Sequence, residues 1–129
     1  MPLVKIDVRK GRSPSEKKAL LEAVHAALVE VLKIPDDDRT QRLCEHSPDD
    51  FEIPPTRTDR FTLIEITMFP GRSMNAKRHL YQALVRNLAP LGIAPSDVFI
   101  VLHEPAMENW GVRGGLPASE VDLGFKVDV

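Results

Sequence analysis

Val4-Lys5-Ile6-Asp7-Val8-Arg9-Lys10-Gly11-Arg12-Ser13 and Ile64-Glu65-Ile66-Thr67-Met68-Phe69-Pro70-Gly71-Arg72-Ser73 are two versions of one phrase. Each begins with apolar residues at alternate positions, the period of a half-buried strand, and each closes on Gly-Arg-Ser. The offset is 60 residues, since 71 − 11 and 73 − 13 both give 60. Recurrence at a fixed spacing marks a duplicated supersecondary unit.

The residues after each copy extend the parallel. After Gly11 breaks the first strand, Ser13 is placed to cap a helix, Pro14 stands at its first position and Glu16 supplies the acid of a capping box. Leu20, Leu21, Val24, Leu28, Val31 and Leu32 then recur at helical spacing, and Pro35 ends the helix. In the second copy Leu80, Leu84, Val85 and Leu88 form the corresponding stripe. Ile93-Ala94-Pro95-Ser96-Asp97 stands where Ile34-Pro35-Asp36-Asp37-Asp38 stood, at an offset of 59. Val98 to Leu102, an unbroken apolar run, reads as a buried strand, and its more polar counterpart spans Arg39 to Glu45.

Between the units, Ser47 to Arg60 holds three prolines and four acids without periodicity, the composition of a loop. Beyond Leu102, Gly114-Gly115 suggests a turn feeding a short final strand along the alternating Val121, Leu123, Phe125 and Val127. The expected fold is α+β: a tandem βαβ pseudodimer with a four-stranded mixed sheet, two helices on one face and a short C-terminal strand. Residues 1–129 read as one domain, 1–58 as the first unit with its linker and 59–129 as the second. Two such units leave one sheet face uncovered, which predicts an oligomer.

Composition excludes several function classes. The net charge of −2 over 129 residues supplies no basic field for a phosphate backbone, so nucleic acid is not an expected partner. No stretch has the apolar length of a membrane span, and MPLVKIDVRK lacks the layout of a signal peptide, so a cytoplasmic setting is expected. The single cysteine, Cys44, cannot form an internal disulfide and reads as a small strand residue. His46 and His103 close their strands without metal-ligand spacing, and His25, between Leu21 and Leu28, belongs in or beside the core. No metal is assigned. Neither a phosphate-cradling loop nor a dinucleotide fingerprint occurs, and no organic cofactor is expected.

A strand led by Pro2, a Gly-Arg-Ser turn, a helix and a second βαβ copy resemble the tautomerase superfamily over nearly the whole chain. Gly71-Arg72-Ser73, Trp110-Gly111-Val112-Arg113-Gly114-Gly115 and Ala118-Ser119 are similar to the motifs of its short members, such as 4-oxalocrotonate tautomerase. Fused members of this length include malonate semialdehyde decarboxylase, and the resemblance implies a homotrimer of pseudodimers. In the decarboxylase-like pattern the catalytic aspartate falls on Asp38 and one active-site arginine on Arg72. A second arginine falls on Pro70, a departure that counts against decarboxylation.

The resemblance gives Pro2 its role. Removal of Met1 exposes a secondary amine at the start of a strand, and burial beside a cation such as Arg72 favours its neutral form. A neutral Pro2 can take a proton alpha to a carbonyl and return it elsewhere, which is keto–enol tautomerisation. Arg72 is the expected carboxylate anchor, because a guanidinium grips a carboxylate in a two-pronged fork. Asp38 is expected to orient water or a hydrated aldehyde or to tune Pro2, Arg39 to pair with it or meet substrate, and Trp110 to wall the pocket or to pack in a trimer interface. Arg12 is expected to line a second, inactive copy. At the same offset Pro2 aligns with Thr62, which has no free amine, so each chain should carry one base. The expected partner is a small carboxylate-bearing substrate, with tautomerisation of a 2-keto acid as the first reading. Decarboxylation or hydration of a three-carbon acid is an alternative, and a non-catalytic trimeric binding or regulatory protein is another.

Overall fold

The computed structural model describes residues 1–129. Strand β1 (Leu3–Arg9) directs Val4, Ile6 and Val8 inward, as the alternation requires. Helix α1 (Pro14–Leu32) begins at a complete capping box: the Ser13 hydroxyl accepts from the Glu16 N–H at 3.2 Å, and the Glu16 carboxylate accepts from the Ser13 N–H at 3.3 Å. The chain returns through β2 (Thr40–His46), crosses the linker, and repeats the pattern as β3 (Thr62–Thr67), α2 (Met74–Leu88) and β4 (Val98–His103).

The sheet has the order β2-β1-β3-β4, with β2 parallel to β1, β1 antiparallel to β3, and β3 parallel to β4. Its register carries the duplication. Val4 pairs with Ile66 and Ile6 with Ile64, so adding 60 to one residue of a pair and subtracting 60 from the other returns the opposite pair. Leu3 opposite Thr40 likewise becomes Leu63 opposite Phe99 under the offsets 60 and 59. A two-fold relation between the units therefore runs between the two central strands.

Both helices contribute to one core: Leu20, Val24 and Leu28 of α1 and Leu80, Leu84 and Leu88 of α2 pack with the inward residues of β1 and β3. Each fully buried leucine contributes about 1.5–3 kcal/mol relative to exposure. His25 lies in this layer, buried, with Nε2 2.8 Å from the Asp36 carbonyl. Neither helix is long and apolar enough to cross a membrane.

Two expectations change. Val98 to Leu102 is not a buried strand within one chain but the sheet edge, with Phe99 54% exposed. The run is apolar on both sides, whereas the helices cover only one. The alternating tail forms no strand either. The closing pair is β5 (Gly111–Val112) with β6 (Leu116–Pro117), joined through the turn Arg113-Gly114-Gly115. In the tail, Gly124 at φ 77 donates to the Asp122 carboxylate at 3.0 Å, a local turn that interrupts extended pairing. Leu123, Phe125 and Val127 still pack inward, against Phe69 and Trp110.

Candidate active site

The start of β1 and the end of β3 meet at one corner, because Leu3 is the ladder partner of Thr67. Pro2 is buried there, and Met1 packs against the Phe69 and Trp110 cluster. Asp38 reaches the same corner from the turn between α1 and β2, a turn closed by the Asp38 N–H donating to the Pro35 carbonyl at 3.1 Å. The Asp38 carboxylate, half-buried, accepts a hydrogen bond from the terminal ammonium of Met1. Met1 and Asp38, though not the buried Pro2, line a cavity of about 410 Å³ whose walls include Phe69, Val112, Leu123 and Phe125, with Arg113 beside them. The cavity therefore joins one acid and one amine to an apolar interior.

Arg72 stands just behind this wall. It precedes Ser73, whose hydroxyl accepts from the Ala76 N–H and starts α2, so its backbone is fixed by the cap. Its guanidinium is buried and donates through Nη1 to the Phe69 carbonyl at 3.1 Å, while Nε and Nη2 have no partner. Burial pulls the Arg72 pKa below the usual guanidinium value, and the Glu104 carboxylate pulls it partly back. Each unmet donor of this buried cation carries a desolvation penalty. Gly71 permits the tail to close over this turn. Its φ is 128°, and a Cβ there would stand 3.1 Å from Cγ2 of Val127.

The other expected residues lie elsewhere. Trp110 is buried behind the wall: its ring meets Phe69 edge-on at 4.7 Å, and its Nε1 donates to the Pro105 carbonyl at 3.1 Å. Arg39 points outward and pairs with Glu22 on α1 at 2.7 Å. Arg12 belongs to the first unit's own corner, donating to the carbonyls of Arg9 at 3.5 Å and Arg60 at 3.3 Å. It lines a separate cavity of about 310 Å³ with Glu16 and Arg60. No group of three or more His, Cys, Asp or Glu gathers in a geometry that could hold a metal ion.

The second copy of the corner is closed. At the offset of 59 the counterpart of Asp38 is Asp97, which is buried and accepts from both the N–H of Thr58, at 2.9 Å, and its hydroxyl. Thr58 thus occupies the position that the terminal amine takes beside Asp38. Thr62, the counterpart of Pro2, is fully buried, with its hydroxyl donating to the Arg60 carbonyl at 2.9 Å. Sequence reasoning missed Asp97 and Thr58, although the recurrence of Asp38 at Asp97 was a readable signal. It also missed the apolar wall, which no local pattern announces.

This fold and corner define a small α+β enzyme class built on duplicated βαβ units. Two family models, each described as tautomerase enzyme, match residues 38–113 and 2–58. The chain belongs to the tautomerase superfamily, in its fused form, and is an enzyme of isomerase type. A probable tautomerase of Bacillus subtilis (strain 168), YusQ, is 30% identical over 89% of this chain and 95% of its own length. The crystal structure of FG41 malonate semialdehyde decarboxylase inhibited by 3-bromopropiolate superposes with a TM-score of 0.81 at 37% identity, covering 89% of this chain and 92% of that one. A fused 4-OT described as a symmetric trimer gives a TM-score of 0.80 at 28% identity over 91% and 96% of the two chains.

Proposed function

We propose that this chain is a cofactor-independent keto–enol tautomerase of small 2-keto acids, with Pro2 as general base once Met1 is removed. The observation that supports the reading is the Met1 amine, one residue before Pro2, seated against Asp38 at the mouth of an apolar cavity. As the neutral amine, Pro2 takes the enol hydroxyl proton and returns a proton to carbon, so the net reaction moves one proton and consumes nothing. Arg72 is the anchor for the substrate carboxylate, supported by its two unmet N–H groups beside Phe69. Residues 1–129 act as one domain, and the open sheet face carrying Phe99 is the surface through which a homotrimer forms.

A second reading, decarboxylation or hydration of malonate semialdehyde, has its own support. In that reading Pro2 is charged and serves as an acid rather than a base, with Asp38 beside it to orient water. The similarity to FG41 malonate semialdehyde decarboxylase points the same way, whereas Pro70 at the second arginine's place points against it.

Intact mass establishes whether Met1 is absent, and assays of phenylenolpyruvate ketonisation and malonate semialdehyde loss separate the two readings. Replacing Pro2→Ala lowers ketonisation by about 100-fold or more if the proline is the base. Wild-type rates maintained in that variant, or on a chain retaining Met1, overturn the proposal.

A further inference from the structure

We infer that the cavity lined by Arg12 and Arg60 is a second ligand site, which takes a small monocarboxylate with an apolar body. It is independent of Pro2 and of the cavity beside Asp38. Arg12 is 8% exposed, and its guanidinium donates only to the carbonyls of Arg9 at 3.5 Å and Arg60 at 3.3 Å, both long for bonds from a cation. Its Nε is buried without a partner. Arg60 brings a second guanidinium, with Nη2 donating to the Leu91 carbonyl at 2.7 Å and Nη1 standing 3.6 Å from Oε2 of Glu16. The other Glu16 oxygen is held at 3.3 Å by the Ser13 N–H in the cap of α1. Burial, and after it the charge of Arg60, pull the Arg12 pKa below the usual guanidinium value, and Glu16 and Glu45 restore it only in part. Two cations and one carboxylate leave one net positive charge in the cavity, which one monoanion neutralises.

The repeat places this cavity in the fold. It lies between the first turn of α1, with Ser15, Glu16 and Ala19, and the segment that follows α2, with Pro90, Leu91 and Ile93. A shift of 60 converts the first three into Asn75, Ala76 and His79, and the last three into Glu30, Val31 and Lys33. All six of these line another cavity, of about 420 Å³. The two are therefore copies of one groove, and neither is a copy of the cavity beside Asp38. One copy already holds an acceptor: Val129 lines it, and the Val129 carbonyl accepts from the Ser73 N–H at 2.9 Å. In the copy at Arg12 no main-chain oxygen meets the Ser13 N–H, and Ala19 and Ile93 stand where the other has His79 and Lys33.

The ligand class follows from these two features together. A carboxylate offers Arg12 and Arg60 the charge-assisted bonds that neutral carbonyls do not. An apolar body meets Leu20, Leu91 and Ile93, and about 310 Å³ admits one aromatic ring. An uncharged amide of the same shape leaves both guanidiniums as they are, whereas acetate leaves the apolar wall in water.

Titrations with benzoate, benzamide and acetate, followed by the amide proton–nitrogen NMR signals of the whole chain, test this. Ala19 and Leu91 report the proposed site, and Gly111 and Val112 report the cavity beside Asp38. Benzoate is expected to move Ala19 and Leu91 to saturation, with an affinity at least about tenfold above those of benzamide and acetate. The shift is expected to disappear in Arg60→Gln and to return in part in Arg60→Lys, with the rest of each spectrum unchanged. The contrast between benzoate and benzamide stands on the wild-type chain alone, whatever the variants do to folding. Benzoate shifts confined to Gly111 and Val112, equal affinity for benzamide or acetate at Ala19 and Leu91, or a full response in a folded Arg60→Gln overturns the inference.

Discussion

The corner around Asp38 and the corner around Asp97 are built alike and finished differently. In both, Gly-Arg-Ser turns the chain into a helix: Ser13 and Ser73 have φ −71 and ψ 162 and 163, and the arginine before each donates to the carbonyl three residues back. Lys17 bonds Glu45 at 2.8 Å, and Lys77 bonds Glu104 at 2.6 Å, in the same places of the two units. The divergence lies in what approaches each strand from its N-terminal side. At the second strand it is the linker, whose Thr58 satisfies Asp97 and whose Arg60 carbonyl accepts from Arg12. At the first strand it is an amine, and the counterpart arginine keeps Nη2 unmet, while Nε lacks a partner in both arginines.

Aromatic packing follows the same division. Phe51 of the linker sits edge-on to His46 at 5.2 Å and to Phe61 at 6.1 Å. Phe69, Trp110 and Phe125 form the corresponding group in the second unit, where the tail supplies one wall of the cavity beside Asp38. Fusion of two units thus leaves one chain terminus beside an aspartate and ties the other aspartate into the linker.

Exchanging the two arginines for lysine is the sharpest way to break this comparison. Arg72→Lys is expected to raise KM for a 2-keto acid by about tenfold or more, because an ammonium cannot reproduce the two-pronged fork. Arg12→Lys is expected to leave kcat/KM within about twofold while lowering stability by about 1 kcal/mol through the bond to the Arg60 carbonyl. Steady-state kinetics and urea unfolding on both variants check this, and equal kinetic losses would place both arginines in the reaction.

A smaller effect is expected at Asp97. Burial pushes the Asp97 carboxyl up, but the side-chain and backbone bonds from Thr58, with Arg57 nearby, outweigh it and hold the group below the usual carboxylate value. A depressed folded pKa stabilises the protein above the unfolded pKa of about 3.9, and that stability is lost as pH falls through the folded value. Asp97→Asn is expected to destabilise the fold by about 2 kcal/mol at neutral pH and to flatten the decline below about pH 4, as followed by thermal unfolding across pH. Asp38→Asn is expected to alter turnover instead.

Much of this was legible in the sequence, and its limits have physical causes. Strand alternation and helix caps are local, so Val4, Ile6, Val8 and the Ser13–Glu16 box identify themselves. The repeat supplied the topology, since two copies at a near-constant offset imply two equivalent units. Cavity walls are a different matter: Phe69, Val112, Leu123 and Phe125 converge from the end of a strand, a hairpin and a tail, and their meeting depends on tertiary packing. Arg39 adjoins Asp38 in sequence yet turns to Glu22, because successive residues leaving a turn face opposite ways. The apolar run at β4 showed its two apolar sides but not that one of them lies outside the chain's own core.

The proposed chemistry depends on one corner presenting a free secondary amine while its twin does not. An acetylenic 2-keto acid tests this directly: the amine nitrogen adds to the triple bond and a proton passes to carbon, which leaves an adduct weighable on the intact chain. One adduct per chain is expected, on Pro2, and none after Pro2→Ala. No adduct, or modification that persists without the proline, would contradict it.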